Sequence, residues 1–375
     1  MLSILFPTRL VSSTLLESVA TGSGLVGVRE IRNSRGATIR IFYPAASKSP
    51  GVSHPVPVFR NGLSRIVEGY SHTFLGSFVS PVVLGFLNYF LRLFLWLHPL
   101  SWSAIPRCYI DLPQASYDAK IPLIVWSHGL TGTSCEHGFL AASLALRGIA
   151  VALVHHSDGS SSMVDLKPPE GNAELSWLKY QHPSYTPSYD VGFRQRQAEH
   201  RAEEVEEMRK LVLERKDLAI DPNKVVVAGF SFGAATAGIV AAQNPKPYAA
   251  AMFIDGWWHI ELKKHKVAQD LPLQAHSNGI SLPSLFIGSA EFQGYRGLND
   301  ATERIQAKVA VKEVHVMENT RHGNFMDAVW WMPVVLTTTL GFSGATDPHV
   351  AYAKFANLVA DFVERSTGSG GKIKN

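Results

Sequence analysis

Residues 224–243, KVVVAGFSFGAATAGIVAAQ, constrain this chain more than any other segment. A short β-branched run is followed at once by a small-residue helix, so the chain must reverse within Gly229-Phe230-Ser231-Phe232-Gly233. A bare GxSxG is frequent by chance. Between a strand and a helix it becomes the sharp turn that lifts a serine hydroxyl above the end of a sheet. Gly233, Ala234 and Ala235 are small enough to allow that turn. The helix N-terminus then points its free amides, and the positive end of its dipole, at charge developing beside Ser231.

The same rhythm extends along the chain. IPLIVWSH (121–128), IAVALVHH (149–156), YAAAMFID (248–255), LPSLFIGS (282–289) and VKEVHVM (311–317) read as strands, and ATIRIFY (37–43) alternates like one. Helical patterns separate them: FLAASLALRG closed by Gly148, the charged stretch Phe193–Lys216, TERIQAKVA and the terminal HVAYAKFANLVADFVERS. In Phe193–Lys216, Val205, Met208 and Val212 mark the inner face, and Glu206 and Lys210 pair four residues apart. The charge run is therefore read as a solvated face without a functional role. Short buried strands alternating with helices predict one doubly wound α/β domain on a mostly parallel sheet. It should cover residues 26–366, after a poorly defined segment 1–25 and before a flexible tail 367–375. Length alone would allow two domains for 375 residues, but no linker divides them.

With 46% hydrophobic and 18% charged residues, the chain can build a large core, which excludes a disordered, collagenous or coiled-coil whole. A net charge of +4 gives no reason to expect nucleic acid. Cys108 and Cys135 fit neither a disulfide framework nor a zinc pattern and read as ordinary thiols. His155-His156 lacks a third ligand at metal spacing, so neither metal nor cofactor is expected. A signal-peptide core is not evident in MLSILFPTRLVSS, and a cytoplasmic, peripherally membrane-associated protein is favoured over a secreted one.

A serine hydroxyl needs a base to become nucleophilic. In this strand–turn–helix arrangement the acid and the histidine follow the serine in the chain. His322, in the loop NTRHGNF after a strand, is best placed to reach back over the sheet edge. His315 alternates within its strand, and His259 and His265 sit in polar surroundings. For the acid, Asp255 ends one strand and Glu291 follows the next, and spacing does not decide between them. The residue after the serine, Phe232, should give one oxyanion amide. The loop Ser127-His128-Gly129-Leu130 should give the other through Leu130, with His128 a structural or oxyanion-loop histidine.

Residues 74–97, FLGSFVSPVVLGFLNYFLRLFLWL, are almost wholly apolar. Their length approaches that of a bilayer span, although Pro81, Asn88 and Arg92 count against one. A core-covering helix, an interfacial helix and a span all fit.

Taken in order, PLIVWSHGL, RGIAVALVHHSDGSS, FRQRQAEHRAEEV, VVVAGFSFGAAT, IDGWW, GSAEFQ and RHGNF resemble the platelet-activating factor acetylhydrolases of the plasma and intracellular type II class, from Val28 to Trp331. The resemblance implies an α/β-hydrolase fold with an apolar helix inserted before the SHGL strand. It implies Ser231, His322 and Asp255 as the triad, from the D-x-W context of Asp255-Gly256-Trp257, and leaves Glu291 a structural part. It further implies calcium-independent cleavage of sn-2 acetyl or short oxidised acyl groups from phospholipids taken from an interface. Phe86, Phe90, Phe94 and Trp96 would then touch the lipid, and Trp257 and Phe325 the substrate. Ser157, Phe230 and Trp258-His259 depart from the family pattern and bear on substrate choice. A general carboxylesterase or lipase, or a catalytically silent membrane-binding module, are the alternatives.

Overall fold

The computed structural model describes residues 24–46, 54–75, 79–96, 103–116, 118–167, 176–182, 191–262, 267–331 and 334–368. Most of segment 1–25, most of the tail 367–375 and His265 lie outside them. The chain opens with β1 (Leu25–Arg32), β2 (Thr38–Ala45) and the short β3 (Pro55–Pro57), and continues with β4 (Ala104–Ile110), β5 (Ile121–Ser127) and β6 (Ala150–Val154). A separate hairpin pairs β7 (Met163–Leu166) with β8 (Ser176–Lys179). The main sheet resumes at β9 (Ile220–Phe230) and β10 (Ala250–Ile254). A second hairpin, β11 (His259–Leu262) with β12 (Val267–Asp270), precedes β13 (Ser284–Ser289) and β14 (Lys312–Met317).

Among the described residues the sheet has ten strands in the order β14-β13-β10-β9-β5-β6-β2-β1-β4-β3. Every pair from β14 to β6 is parallel, β2 joins β6 and β1 antiparallel, and β4 lies parallel to β1. The central strands β5, β6 and β10 are buried at every position, as strands covered on both faces must be. Helices Gly138–Leu146 and Pro348–Thr367 pack a core on one face. Helices Val191–Leu213 and Phe232–Gln243 pack the other. Helix Pro348–Thr367 ends at Gly368 in the left-handed conformation, so the last helical turn takes in the first residue of the expected tail.

Two expectations change. Val205, Met208 and Val212 of helix Val191–Leu213 are buried as their spacing requires, but so are Arg194, Arg201 and Glu204. The charge run is therefore not simply a solvated face. Its inner side runs under the loop 155–162, whose hydroxyls and carboxylate give buried charges partners.

The apolar stretch begins in the last two residues of helix Leu63–Leu75 and contains helix Pro81–Trp96; the two helices meet where Ser71 donates to Asn88 (2.8 Å). Sixteen residues reach about 24 Å, short of the roughly 30 Å of a hydrocarbon core. Among the described residues no helix is long and apolar enough to cross a membrane. Of the described side chains of Pro81–Trp96, Leu84 is buried, while Val82, Phe86, Tyr89 and Phe90 are exposed, which is not the pattern of a core helix. The side chains of Phe94 and Trp96 lie outside the described residues.

Candidate active site

Ser231 follows the last residue of β9 and caps helix Phe232–Gln243 with φ 56° and ψ −120°. A non-glycine residue there costs on the order of 1–3 kcal/mol, so the surroundings must enforce the turn. Two glycines make it possible. A Cβ on Gly229 would run into the carbonyl of Gly233, and one on Gly233 into the carbonyls of Ser127 and His128. The helix can therefore start directly against the end of β5. A Cβ on Gly129 would stand only 3.2 Å from that of Ser231, which puts the loop after β5 beside the serine.

Asp255 follows β10, the neighbour of β9, and also has positive φ. Its carboxylate accepts from Ser289 N–H (2.6 Å), from Ser289 Oγ–H (2.8 Å) and from His322 Nδ1–H (2.6 Å). Glu291 does not touch the imidazole ring; it accepts the main-chain N–H of His322 (2.9 Å). The two carboxylates thus divide the work, Asp255 on the ring and Glu291 on the loop.

The His322 ring lies between two near-parallel aromatic faces, Phe230 at 4.5 Å and Phe292 at 4.3 Å. Phe230 belongs to the serine turn, so the imidazole is stacked on the residue next to Ser231. With Nδ1 bound to Asp255, Nε2 is left without a hydrogen-bond partner among the described residues. Sequence reasoning did not single out Phe292 or Ser289 as site residues, although both lie in the quoted run GSAEFQ. The signal for Ser289 was its place at the end of β13, beside the strand bearing Asp255.

Phe232 is buried, with Trp257 edge-on to its ring at 5.9 Å, and Leu130 is partly buried. Trp257 N–H donates to the carbonyl of Ser231 (3.0 Å). Phe325, expected at the substrate, is fully buried and packs edge-on against Phe355 (5.2 Å), so it offers a ligand no surface. The tight turn His322–Phe325 sends it inward to the core beneath. His259 bonds Asp270 and His315 bonds Glu313, so neither is the imidazole held by Asp255. Cys108 and Cys135 are both buried, and burial pushes the Cys108 thiol well above its ordinary range, which keeps it protonated and non-nucleophilic.

Burial favours the neutral form of His137 and His155. Burial is the largest cause pushing His137 down to about 3, with His322 adding to it, and His155 is pushed down to about 4. His137 packs between Trp126 (4.8 Å) and Phe230 (5.3 Å), and its Nε2 has no hydrogen-bond partner among the described residues. An unfolded chain regains an imidazole that titrates near 6.5, so below that pH it binds a proton the folded protein refuses. This contribution is therefore fully present above about 6.5 and is lost as pH falls toward 3. One such histidine should remove about 2 kcal/mol of unfolding free energy between pH 7 and pH 5. Denaturant unfolding of His137→Leu at both pH values should show that much less acid loss. An unchanged loss would count against the account.

Residues 108–370 match the family described as platelet-activating factor acetylhydrolase, isoform II. The chain belongs to this family. It is 24% identical over 377 residues to the platelet-activating factor acetylhydrolase of Canis lupus familiaris, covering 92% of this chain and 76% of the relative. With the Bos taurus protein of the same name it shares 22% over 373 residues, with the same coverage of 92% and 76%. Among solved structures, a ferulic acid esterase from Streptomyces cinnamoneus superimposes with a TM-score of 0.64 at 18% identity, covering 92% of this chain and 91% of that one. That likeness is one of fold, the α/β-hydrolase fold. The family and the fold together make this family member a carboxylic ester hydrolase of the serine type.

Proposed function

We propose that this protein hydrolyses the sn-2 acetyl, or short oxidised acyl, ester of phospholipids resembling platelet-activating factor, without calcium, through Ser231, His322 and Asp255. The observation that carries the reading is the 2.6 Å bond from His322 Nδ1 to the buried Asp255, with Ser231 on the adjacent strand in a strained turn. Asp255 holds the imidazole in the tautomer whose Nε2 accepts a proton. His322 takes the hydroxyl proton of Ser231 as the oxygen attacks the ester carbonyl. The amides of Leu130 and Phe232 receive the oxyanion. Collapse of the tetrahedral intermediate breaks the ester bond, and the lyso-lipid leaves with the proton from His322. Water, deprotonated by the same imidazole, then attacks the acyl-serine and frees the carboxylic acid. While His322 is cationic it lies between the faces of Phe230 and Phe292, and each face within about 6 Å is worth on the order of 1 kcal/mol to a cation.

The substrate class rests on family membership and on the exposed apolar helix Pro81–Trp96. Phe86 and Phe90, 4.8 Å apart and both exposed, would enter the lipid interface. Burying one phenylalanine is worth about 1.5–3 kcal/mol, so Phe86→Asp with Phe90→Asp should lower partition into phosphatidylcholine vesicles by at least about 100-fold. Hydrolysis of a soluble acetate ester should be unaffected. Equal vesicle binding by wild type and the double variant would remove the helix from the interface.

The test of the reaction is release of radiolabelled acetate from an sn-2 acetyl phospholipid in EDTA. Undiminished release is expected. If EDTA abolishes it, calcium independence fails. If only simple acetate esters are cut, the lipid assignment fails and a general carboxylesterase remains.

A further inference from the structure

We infer that Arg201 is the positioning residue of the oxyanion hole, acting on both proposed donors from beneath. The inference rests on the Ser231 reading above. Arg201 is fully buried on helix Val191–Leu213, within the run that sequence alone assigns to solvent. Its Nη1 donates to the carbonyl of His128 (2.6 Å) and its Nη2 to the carbonyl of Gly129 (3.3 Å). These are the two peptides leading into Leu130.

A trans peptide unit points its C=O and N–H in opposite directions. A guanidinium holding the Gly129 carbonyl therefore turns the Leu130 N–H away from itself, and Gly129 lies against Ser231. His128 supports the same orientation. A carbonyl can only accept, so the 2.7 Å contact of His128 Nδ1 with the Gly129 carbonyl puts the ring proton on Nδ1. Its Nε2 then accepts the main-chain N–H of His156 (3.3 Å).

The second donor is reached through its side chain. The guanidinium carbon stands 4.7 Å over the ring of Phe232, the residue whose amide opens the nucleophile helix. Arg201 itself is held by Ser160 Oγ and by Asp158, whose Oδ2 accepts from Nε at 3.2 Å. Its fork is thus fixed before substrate arrives. A preorganised donor set pays no reorganisation cost as charge develops, which is why such sites outperform water. Lysine, with one point charge and no fork, cannot hold two successive carbonyls and cover a ring at once.

The experiment compares wild type, Arg201→Lys, and the double variant Arg201→Met with Asp158→Asn, which deletes both buried charges together. Active sites are titrated with an organophosphonate, and rates on p-nitrophenyl acetate are expressed per titrated site. Both variants should lose about 100-fold in kcat, the scale of one oxyanion donor, with KM nearly unchanged. Affinity for a trifluoromethyl ketone, which mimics the oxyanion, should fall in the same proportion as kcat/KM. A purely structural arginine would lower Tm and the titratable fraction, yet leave kcat per site and ketone affinity intact. That outcome overturns the proposal. Should neither variant fold, Ser160→Ala, which removes one anchor of Arg201, should still lower kcat without raising KM; unchanged kcat there also overturns it. If wild type is not labelled at Ser231, the Ser231 reading fails first, and this inference falls with it.

Discussion

Ser231→Ala should lower kcat/KM on a short acetate ester by about a million-fold, the loss seen when a triad nucleophile is removed from a serine hydrolase. The remaining rate would come from the oxyanion amides and substrate binding alone. The fold should survive, because alanine fits the space of serine, although it inherits the strain of φ 56°. Ser231→Gly should be equally inactive but should unfold at a higher temperature than Ser231→Ala. Glycine adopts positive φ without the cost of a Cβ, which is worth about 1 kcal/mol or more here. Paired measurements of Tm and of activity on purified protein test both halves. Appreciable turnover in Ser231→Ala would move the nucleophile elsewhere. Equal Tm values would mean that the turn carries no strain.

Asp255→Asn should cost about 10⁴-fold in kcat with little change in KM. Asparagine keeps the shape, but it can present its NH₂ to the imidazole and favour the tautomer with the wrong nitrogen protonated. It also removes the negative charge opposite the imidazolium formed in each step. Ser289, which donates to both carboxylate oxygens, would face one amide hydrogen in place of an acceptor. Glu291→Gln should lose far less, since an amide oxygen can still accept from the His322 main chain. Steady-state kinetics of the two variants side by side decide the matter. If Glu291→Gln collapses while Asp255→Asn survives, the acid has been misassigned.

Much of the architecture was legible in local patterns. The strand runs at β5, β6, β9, β10, β13 and β14 and the helices between them follow from apolar period and turn chemistry, which neighbouring residues alone set. The turn at Ser231 was legible for the same reason. Its glycines and alanines state how closely the backbone must approach, and the blocked Cβ positions at Gly229 and Gly233 are the tertiary form of that statement. Family membership was legible because several motifs occur in one order, a signal that no single motif carries.

Spacing left the choice of carboxylate open, because Asp255 and Glu291 both follow strands that could bring them to His322. Only the packed loops decided which one meets the ring and which the main chain. The family resemblance implies that Phe325 touches substrate, but a four-residue turn directs it into the core. The charged helix shows the limit most clearly. Periodicity marks the stripe that must be buried, yet Arg201 and Glu204 are buried too. Whether a charge can leave water depends on partners distant in sequence, here the carbonyls after β5 and the carboxylate and hydroxyls of the loop after β6. The sequence by itself determined which elements form and where a serine turn must lie, since those are short-range properties of the chain. The tertiary structure alone decided which polar groups face one another, because desolvating a charge is settled by what surrounds it in space.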